Sequence, residues 1–172
     1  MEQPKASNQQ LEQNKREQPM SLIMKAIITG FVGGVFWSLL GYLAYFFHFT
    51  ELSPNMILLP WALGDWKYGK TGNYIAILLI GLLSILVALL YYAFFRKMKS
   101  MWVGIVYGVA LWLIVFYVFN PLIPSLQSVS KLERNTIITT ICLYILYGVF
   151  IGYSISFETQ ESERTQMQAT NE

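Results

Sequence analysis

The sequence predicts an all-α, polytopic integral membrane protein with four transmembrane helices, and three observations carry that reading. Four stretches of about twenty residues contain no Lys, Arg, Asp or Glu: Ala26–Phe49, Tyr74–Phe95, Met101–Phe119 and Thr136–Phe157. At about 1.5 Å rise per residue each crosses a hydrocarbon core about 30 Å thick, the third only just. Charged residues make up 13% of the 172 residues, roughly half the share of a soluble domain. Basic residues gather at the span ends, as membrane topology requires.

Taken in order, residues 1–20 are rich in Gln, Asn and Glu and are expected to form a disordered tail. Residues 21–157 form the membrane domain. Its first span, 26–49, lies behind that polar tail and has no small-x-small cleavage site, so it reads as a retained signal anchor rather than a removed leader. The connection 50–73 contains Ser53-Pro54, a helix-start signal, and an apolar run from Met56 to Leu63 too short to cross a bilayer. Gly64, Gly69 and Gly72 interrupt the chain beyond that run. The connection reads as an interfacial or shallow re-entrant segment with Trp61 and Trp66 at headgroup level.

Asn73 is placed to cap the second span, 74–95. The five-residue link RKMKS leads into the third, 101–119, which Phe119-Asn120-Pro121 should end because proline disfavours helix in the residue before it. After Pro124 and a polar link, Asn135 or Thr136 could cap the fourth span, 136–157. Residues 158–172 repeat the polar composition of the first tail and are expected to be disordered and cytoplasmic.

Orientation follows from the basic residues. Lys15, Arg16, Lys25, Arg96, Lys97, Lys99 and Arg164 lie on one side, against Lys67, Lys70, Lys131 and Arg134 on the other. Short loops weigh most in the positive-inside rule, so RKMKS and both termini are expected in the cytoplasm.

Between lipid-facing helices, small residues mark close contact better than hydrophobicity does. Gly30, Gly34 and Ser38 recur at four-residue spacing on the first span, Gly104 and Gly108 on the third, and Gly148, Gly152 and Ser156 on the fourth. The second span offers Gly81, Ser84 and Ala88. These seams fit packing within the bundle or a homo-oligomer. GFVGGVF from Gly30 resembles GIVYGVA from Gly104, and Asn73, Tyr91 and Phe95 match Asn135, Tyr153 and Phe157 at one offset. That pattern suggests two tandem helical hairpins.

The sequence offers little chemistry. His48 is the only histidine and stands without a Cys or carboxylate cluster at ligand spacing, so no metal or cofactor is expected. Its sharper reading is a pH sensor paired with Glu51; its plainer one is structural. The single cysteine, Cys142, allows no intrachain disulfide and reads as an apolar filler. Neither a P-loop nor a dinucleotide fingerprint is present. A net charge of +2 gives no case for nucleic acid. Proton-coupled transport ordinarily leaves an Asp, Glu or Lys inside a span, and these spans have none. Their polar residues include Thr29, Ser38, Tyr42, Tyr107, Tyr117, Thr139, Thr140 and Tyr144, with interhelical hydrogen bonding as the default role and a hydrophilic pathway as the alternative.

The stretches GFVGGVFWSLLGYLAYFF, PWALGDWKYGKTGN, YYAFFRKMK, FNPLIP and ERNTIITTICLYILYGVFIGYS resemble the YqhR-type membrane proteins of bacilli and related Gram-positive bacteria, over roughly residues 21–158. The resemblance implies a multi-pass protein of the bacterial plasma membrane. It carries over no catalytic residue, cofactor or substrate.

The expected role is therefore non-enzymatic: contact with itself or another membrane protein in the bilayer, as an accessory or scaffold subunit. A small oligomeric transporter or channel is the alternative, and a lipid-modifying enzyme at the outer interface the third reading. Because the spans hold no Lys, Arg, Asp or Glu, the candidate recognition surface falls in the outer loop, on Glu51, Trp61, Asp65, Trp66, Lys67 and Lys70. The plainer reading makes the tryptophans anchors and the charges solvated.

Overall fold

The computed structural model describes residues 21–60, 62–95, 98, 100–119 and 129–170. The N-terminal tail, Trp61, Arg96, Lys97, Lys99, Asn120, Pro121 and Pro124 lie outside the described residues, so the expectations placed on them do too. Among the described residues four α-helices form the bundle: α1, Leu22–Phe46; α2, Lys70–Phe95; α3, Met101–Leu113; and α4, Arg134–Thr170. Three of them are long and apolar enough to cross a membrane, and Trp102–Val118 forms a shorter apolar helix. The described residues include no strand.

Helix α1 starts earlier than its uncharged stretch. The Ser21 hydroxyl accepts from the Met24 amide, and Lys25 enters the helix by pairing with Glu158 on α4. It also ends earlier, at Phe46, because His48 takes a left-handed conformation with φ of 61°. The His48 amide donates to the Tyr45 carbonyl at 3.0 Å and the Phe49 amide to that of Ala44 at 2.9 Å. This is a Schellman cap with histidine where glycine is usual. The place of His48 is thus structural, at the helix end.

The segment between α1 and α2 holds two short 3-10 turns, Pro54–Leu58 and Asp65–Tyr68, with Gly64 between them at φ of 99°. Asn73 does not cap α2. The helix begins at Lys70, and Asn73 sits buried in its first turn with its side-chain oxygen accepting from the Asn55 amide at 3.2 Å. Gly72 likewise joins the helix instead of breaking it. A Cβ there would come within 2.9 Å of the Lys67 Cα, so the loop backbone passes directly over it.

Helix α3 gives way to a π-helical turn over Ile114–Val118, and the Phe119 amide closes it on the Ile114 carbonyl at 3.1 Å. Together these segments reach about 27 Å, just under the hydrocarbon thickness. Helix α4 begins at Arg134, so Thr136 is interior, not a cap. Its hydroxyl is buried and accepts from the Glu51 amide at 3.1 Å.

The largest departure is at the other end of α4. Where composition predicts disorder from residue 158 on, the helix runs to Thr170. Residues 158–170 contain neither proline nor glycine, and Glu, Gln, Arg and Met propagate helix well. Extending an existing helix carries no nucleation cost. The Lys25–Glu158 pair and the Thr159 hydroxyl, donating to the Ile155 carbonyl at 2.8 Å, fasten the start of the extension.

The helices pair as hairpins, α1 with α2 and α3 with α4, and α1 packs on α4 to join them. The four-residue seams lie inside these contacts. A Cβ added at Gly30 would stand 2.7 Å from the Ala88 Cβ, and one at Gly104 would stand 2.9 Å from the Gly148 carbonyl oxygen. Gly34 faces Ser84 and Gly81, Gly108 faces Tyr144 and Ile145, and Gly152 faces Tyr91 and Gly104. The repeat suggested by the sequence does not extend to environment: Tyr91 is buried where Tyr153 is exposed, and Asn73 is buried where Asn135 is exposed.

Candidate functional site

Among the described residues no ion pair joins the charged loop side chains Glu51, Asp65, Lys67 and Lys70 to one another. The Lys67 ammonium donates to the Ala62 carbonyl at 2.8 Å and lies 5.3 Å from the Tyr68 ring centroid, so it stitches the loop to itself. The Trp66 indole N–H donates to the Leu63 carbonyl at 2.9 Å, closing the turn that Gly64 opens. Glu51 contributes its backbone amide to Thr136, while its side chain is exposed, as are those of Asp65 and Lys70. What fixes the loop is a buried polar knot. Asn55 donates from its side chain to the Lys67 carbonyl at 2.9 Å, receives the Ser53 hydroxyl, and is held by Asn73.

Beneath this loop lies a cavity of about 350 Å³ bounded by all four helices. Its wall on α1 is Gly34, Trp37, Ser38 and Gly41. The spacing puts these residues on one helix face, which is the α1 seam continued toward the loop. Gly34 touches α2, but a Cβ at Gly41 would meet nothing within 4 Å. The seam opens there, and the void is the result.

The loop supplies the roof through residues such as Thr50, Pro54 and Met56, and the π-helical turn turns Val115 and Phe116 toward the cavity. Phe116 stacks on Trp112 with centroids 4.8 Å apart, and the Trp112 indole N–H donates to the Thr140 hydroxyl at 3.1 Å. The floor is a hydroxyl network. Ser84 donates to the Gly30 carbonyl at 2.6 Å and pairs with the Tyr147 hydroxyl. Below it the Tyr107 hydroxyl donates to the Val87 carbonyl at 2.6 Å, joining α3 to α2. Those two helices otherwise make little close backbone contact.

The lining is mostly apolar, with a few polar groups at its edges, and its size falls within the usual range of small-molecule sites. Trp37 lines the wall with other atoms of its side chain, while its indole N–H is itself buried and has no acceptor among the described residues. Among the described residues no group of three or more His, Cys, Asp or Glu side chains is arranged to hold a metal ion.

Sequence reasoning names Ser38, Thr140 and Tyr144 as span polars and Gly34 as a seam residue, and all four border the cavity. It misses Trp37 and Gly41. Gly41 is within its reach, since it stands seven residues after Gly34 and so falls on the same face. The missing acceptor at Trp37 has no sequence signature, because it depends on what the other three helices fail to provide.

An all-helical bundle with apolar spans, bearing a partly open apolar cavity under a knotted loop, has the architecture of a multi-pass membrane protein. The chain belongs to the family described as conserved membrane protein YqhR, which it matches over residues 6–170. It is 54% identical over 147 residues to "Uncharacterized protein YqhR" of Bacillus subtilis (strain 168), a match covering 86% of this chain and 83% of that protein. No solved structure matches it.

Proposed function

We propose that this protein acts by contact, as an accessory or scaffold subunit of the bacterial plasma membrane with both termini in the cytoplasm. The observation that carries the proposal is the continuity of α4, whose 37 residues run from the loop end of the bundle into a polar helix beyond its apolar span. Such a helix presents a shaped surface to a partner at little ordering cost, whereas a disordered tail would lose entropy on binding. The ion pair at its base ties its direction to α1.

The test is crosslinking in native membranes with the full chain and with a chain ending after Glu158. On this proposal the shorter chain keeps its membrane level and melting temperature but loses its crosslinked partners. Unchanged crosslinks would refute the contact helix. Orientation has its own test: with Cys142 replaced by Ala, an impermeant thiol reagent should label a single cysteine at Ser128 in intact cells, and none at Ser7 or Ser162.

The cavity favours a second reading, a small oligomeric transporter or channel. Four helices rarely enclose a pathway alone, so this reading requires an oligomer and solute flux in proteoliposomes. A monomer without flux rejects it.

A further inference from the structure

We infer that residues 63–68 form a membrane-contact element in the headgroup layer at the loop end of the bundle. Leu63 enters the phospholipid there, and through Asn55 the lipid surface holds the roof of the cavity in place. The inference stands apart from the contact role, because it rests on the loop and not on α4's polar extension. It holds for either orientation of the chain.

Height is the first step. The 26 residues of α2 reach about 39 Å, roughly 9 Å more than a hydrocarbon core of about 30 Å. The nearest charges in the sequence are Lys70 at its start and Arg96 just after its end, so the excess is shared between both sides. The hydrocarbon therefore begins near Asn73. The loop is tied to that level: the Asn55 amide donates to the Asn73 side-chain oxygen at 3.2 Å, and the Asn55 side chain to the Lys67 carbonyl at 2.9 Å. A Cβ at Gly72 would come within 2.9 Å of the Lys67 Cα. The turn that carries Lys67 thus stands in the headgroup layer, which adds about 5–7 Å to each side of the core.

The second step is the surface the turn presents there. Leu63 is 91% exposed, more than any other large apolar side chain among the described residues. Its backbone is fixed, since its carbonyl accepts from the Trp66 indole N–H at 2.9 Å and Gly64 beyond it takes φ of 99°. Trp66 and Tyr68 are exposed in the same stretch, and amphipathic rings of this kind favour the headgroup level. Asp65 and Lys70 are exposed too, which keeps the turn in the polar layer and out of the hydrocarbon. At this height the bilayer around the protein's own helices covers Leu63, with no further partner required.

The third step is transmission. Asn55 lies between two residues that roof the cavity, Pro54 and Met56. Its side-chain bond to the Lys67 carbonyl joins that roof to the turn. The Lys67 ammonium in turn donates to the carbonyl of Ala62, the neighbour of Leu63, at 2.8 Å. A turn anchored in lipid therefore holds Asn55, and a turn released from lipid loosens it.

The test uses the full chain with Cys142→Ala in nanodiscs of phosphatidylglycerol and phosphatidylcholine. A nitroxide is attached at Leu63→Cys or, as a water reference, at Glu51→Cys, where the parent side chain is exposed. Power saturation compares oxygen, which concentrates in lipid, with a water-soluble nickel chelate. At Leu63 oxygen should relax the label more than the chelate does, and at Glu51 the order should reverse. Equal access of the chelate to both positions puts the turn in water and overturns the inference. Exclusion of both agents from Leu63 means that a second copy or another protein covers it, and overturns it too.

Transmission is read by hydrogen exchange in the same nanodiscs. Leu63→Ser should quicken exchange at the Asn55 and Met56 amides about tenfold and leave Ile151 unchanged. Leu63→Met, which keeps an apolar side chain, should exchange like the parent. Equal exchange by the parent and Leu63→Ser overturns the link between lipid and roof. Quickening by Leu63→Met as large as by Leu63→Ser traces the effect to shape within the loop, and overturns it as well.

Discussion

Gly148 and Gly41 are the same residue in two helices of one bundle, and they stand in opposite surroundings. Around Gly148, in the half of the bundle nearer the chain ends, α3 and α4 touch backbone to backbone. A Cβ there would come within 2.7 Å of the Gly108 Cα. Around Gly41, in the half beneath the loop, a Cβ would meet nothing. Small residues permit close approach but do not enforce it. What separates the two halves is the loop. Its first 3-10 turn packs on both α1 and α2, and its residues roof the space that closer helices would have filled. The π-helical turn adds to the effect by turning Phe116 into the same region. One half is closed by its backbones and the other is held open.

The largest effect expected from testing this contrast is at the closed half. Gly148→Leu forces α3 and α4 apart along a seam with no give, because the obstructing atoms are backbone. Overpacking ordinarily costs about 1–3 kcal/mol, and a backbone clash should exceed that. Thermal unfolding in detergent should show a strongly lowered midpoint or no folded protein. Phe150→Leu, which trims a ring lying over Gly33 without adding bulk to a seam, should cost only about 1 kcal/mol. Equal melting of the two variants would break the contrast between the halves.

Next in size is the knot that holds the roof. Asn73→Ala leaves the buried Asn55 amide without its acceptor, at about 1–3 kcal/mol. Hydrogen exchange should quicken at Asn55 and nearby loop amides and stay unchanged at Ile151, in the closed half. A uniform loss of protection would mean that the loop and the bundle are not separable units.

These residues also show what the sequence can reveal. The spans are legible because lipid demands long uncharged runs, and the seams because helices in lipid associate through small residues. Helix ends are illegible wherever a tertiary hydrogen bond outbids a local one. Asn73 and Thr136 look like caps, but they sit one turn or less inside their helices and accept amides from the loop. The polar extension of α4 is hidden for another reason: composition argues against a core, and a helix that grows from a membrane span does not need one. The loop's charges draw attention as a site because charge is visible in a sequence. A cavity is made by absence, and only packing reveals it.

A smaller effect, and a gain, is expected at the end of α1. His48 holds a left-handed conformation that costs an L-residue roughly 1–2 kcal/mol and glycine almost nothing. His48→Gly should therefore raise stability by about 1 kcal/mol, less the entropy of a looser unfolded chain. Thermal unfolding in detergent is the measurement, and a lowered midpoint would mean that the His48 side chain makes a contact whose loss outweighs the relief of the backbone.

The smallest change in stability is expected at Gly41, and its sign is what matters. The first carbon of a side chain at this position meets nothing within 4 Å, and leucine replaces a poor helix former by a good one. Stability should stay level or rise by up to about 1 kcal/mol, opposite in direction to Gly148→Leu. If the space is already tightly filled by loop or lipid when the protein is in its membrane, leucine will displace that filling. The variant will then melt lower in lipid nanodiscs while melting level or higher in detergent. A marked loss in both media would mean that the helices close around Gly41 in solution, and the two halves of the bundle would then be packed alike.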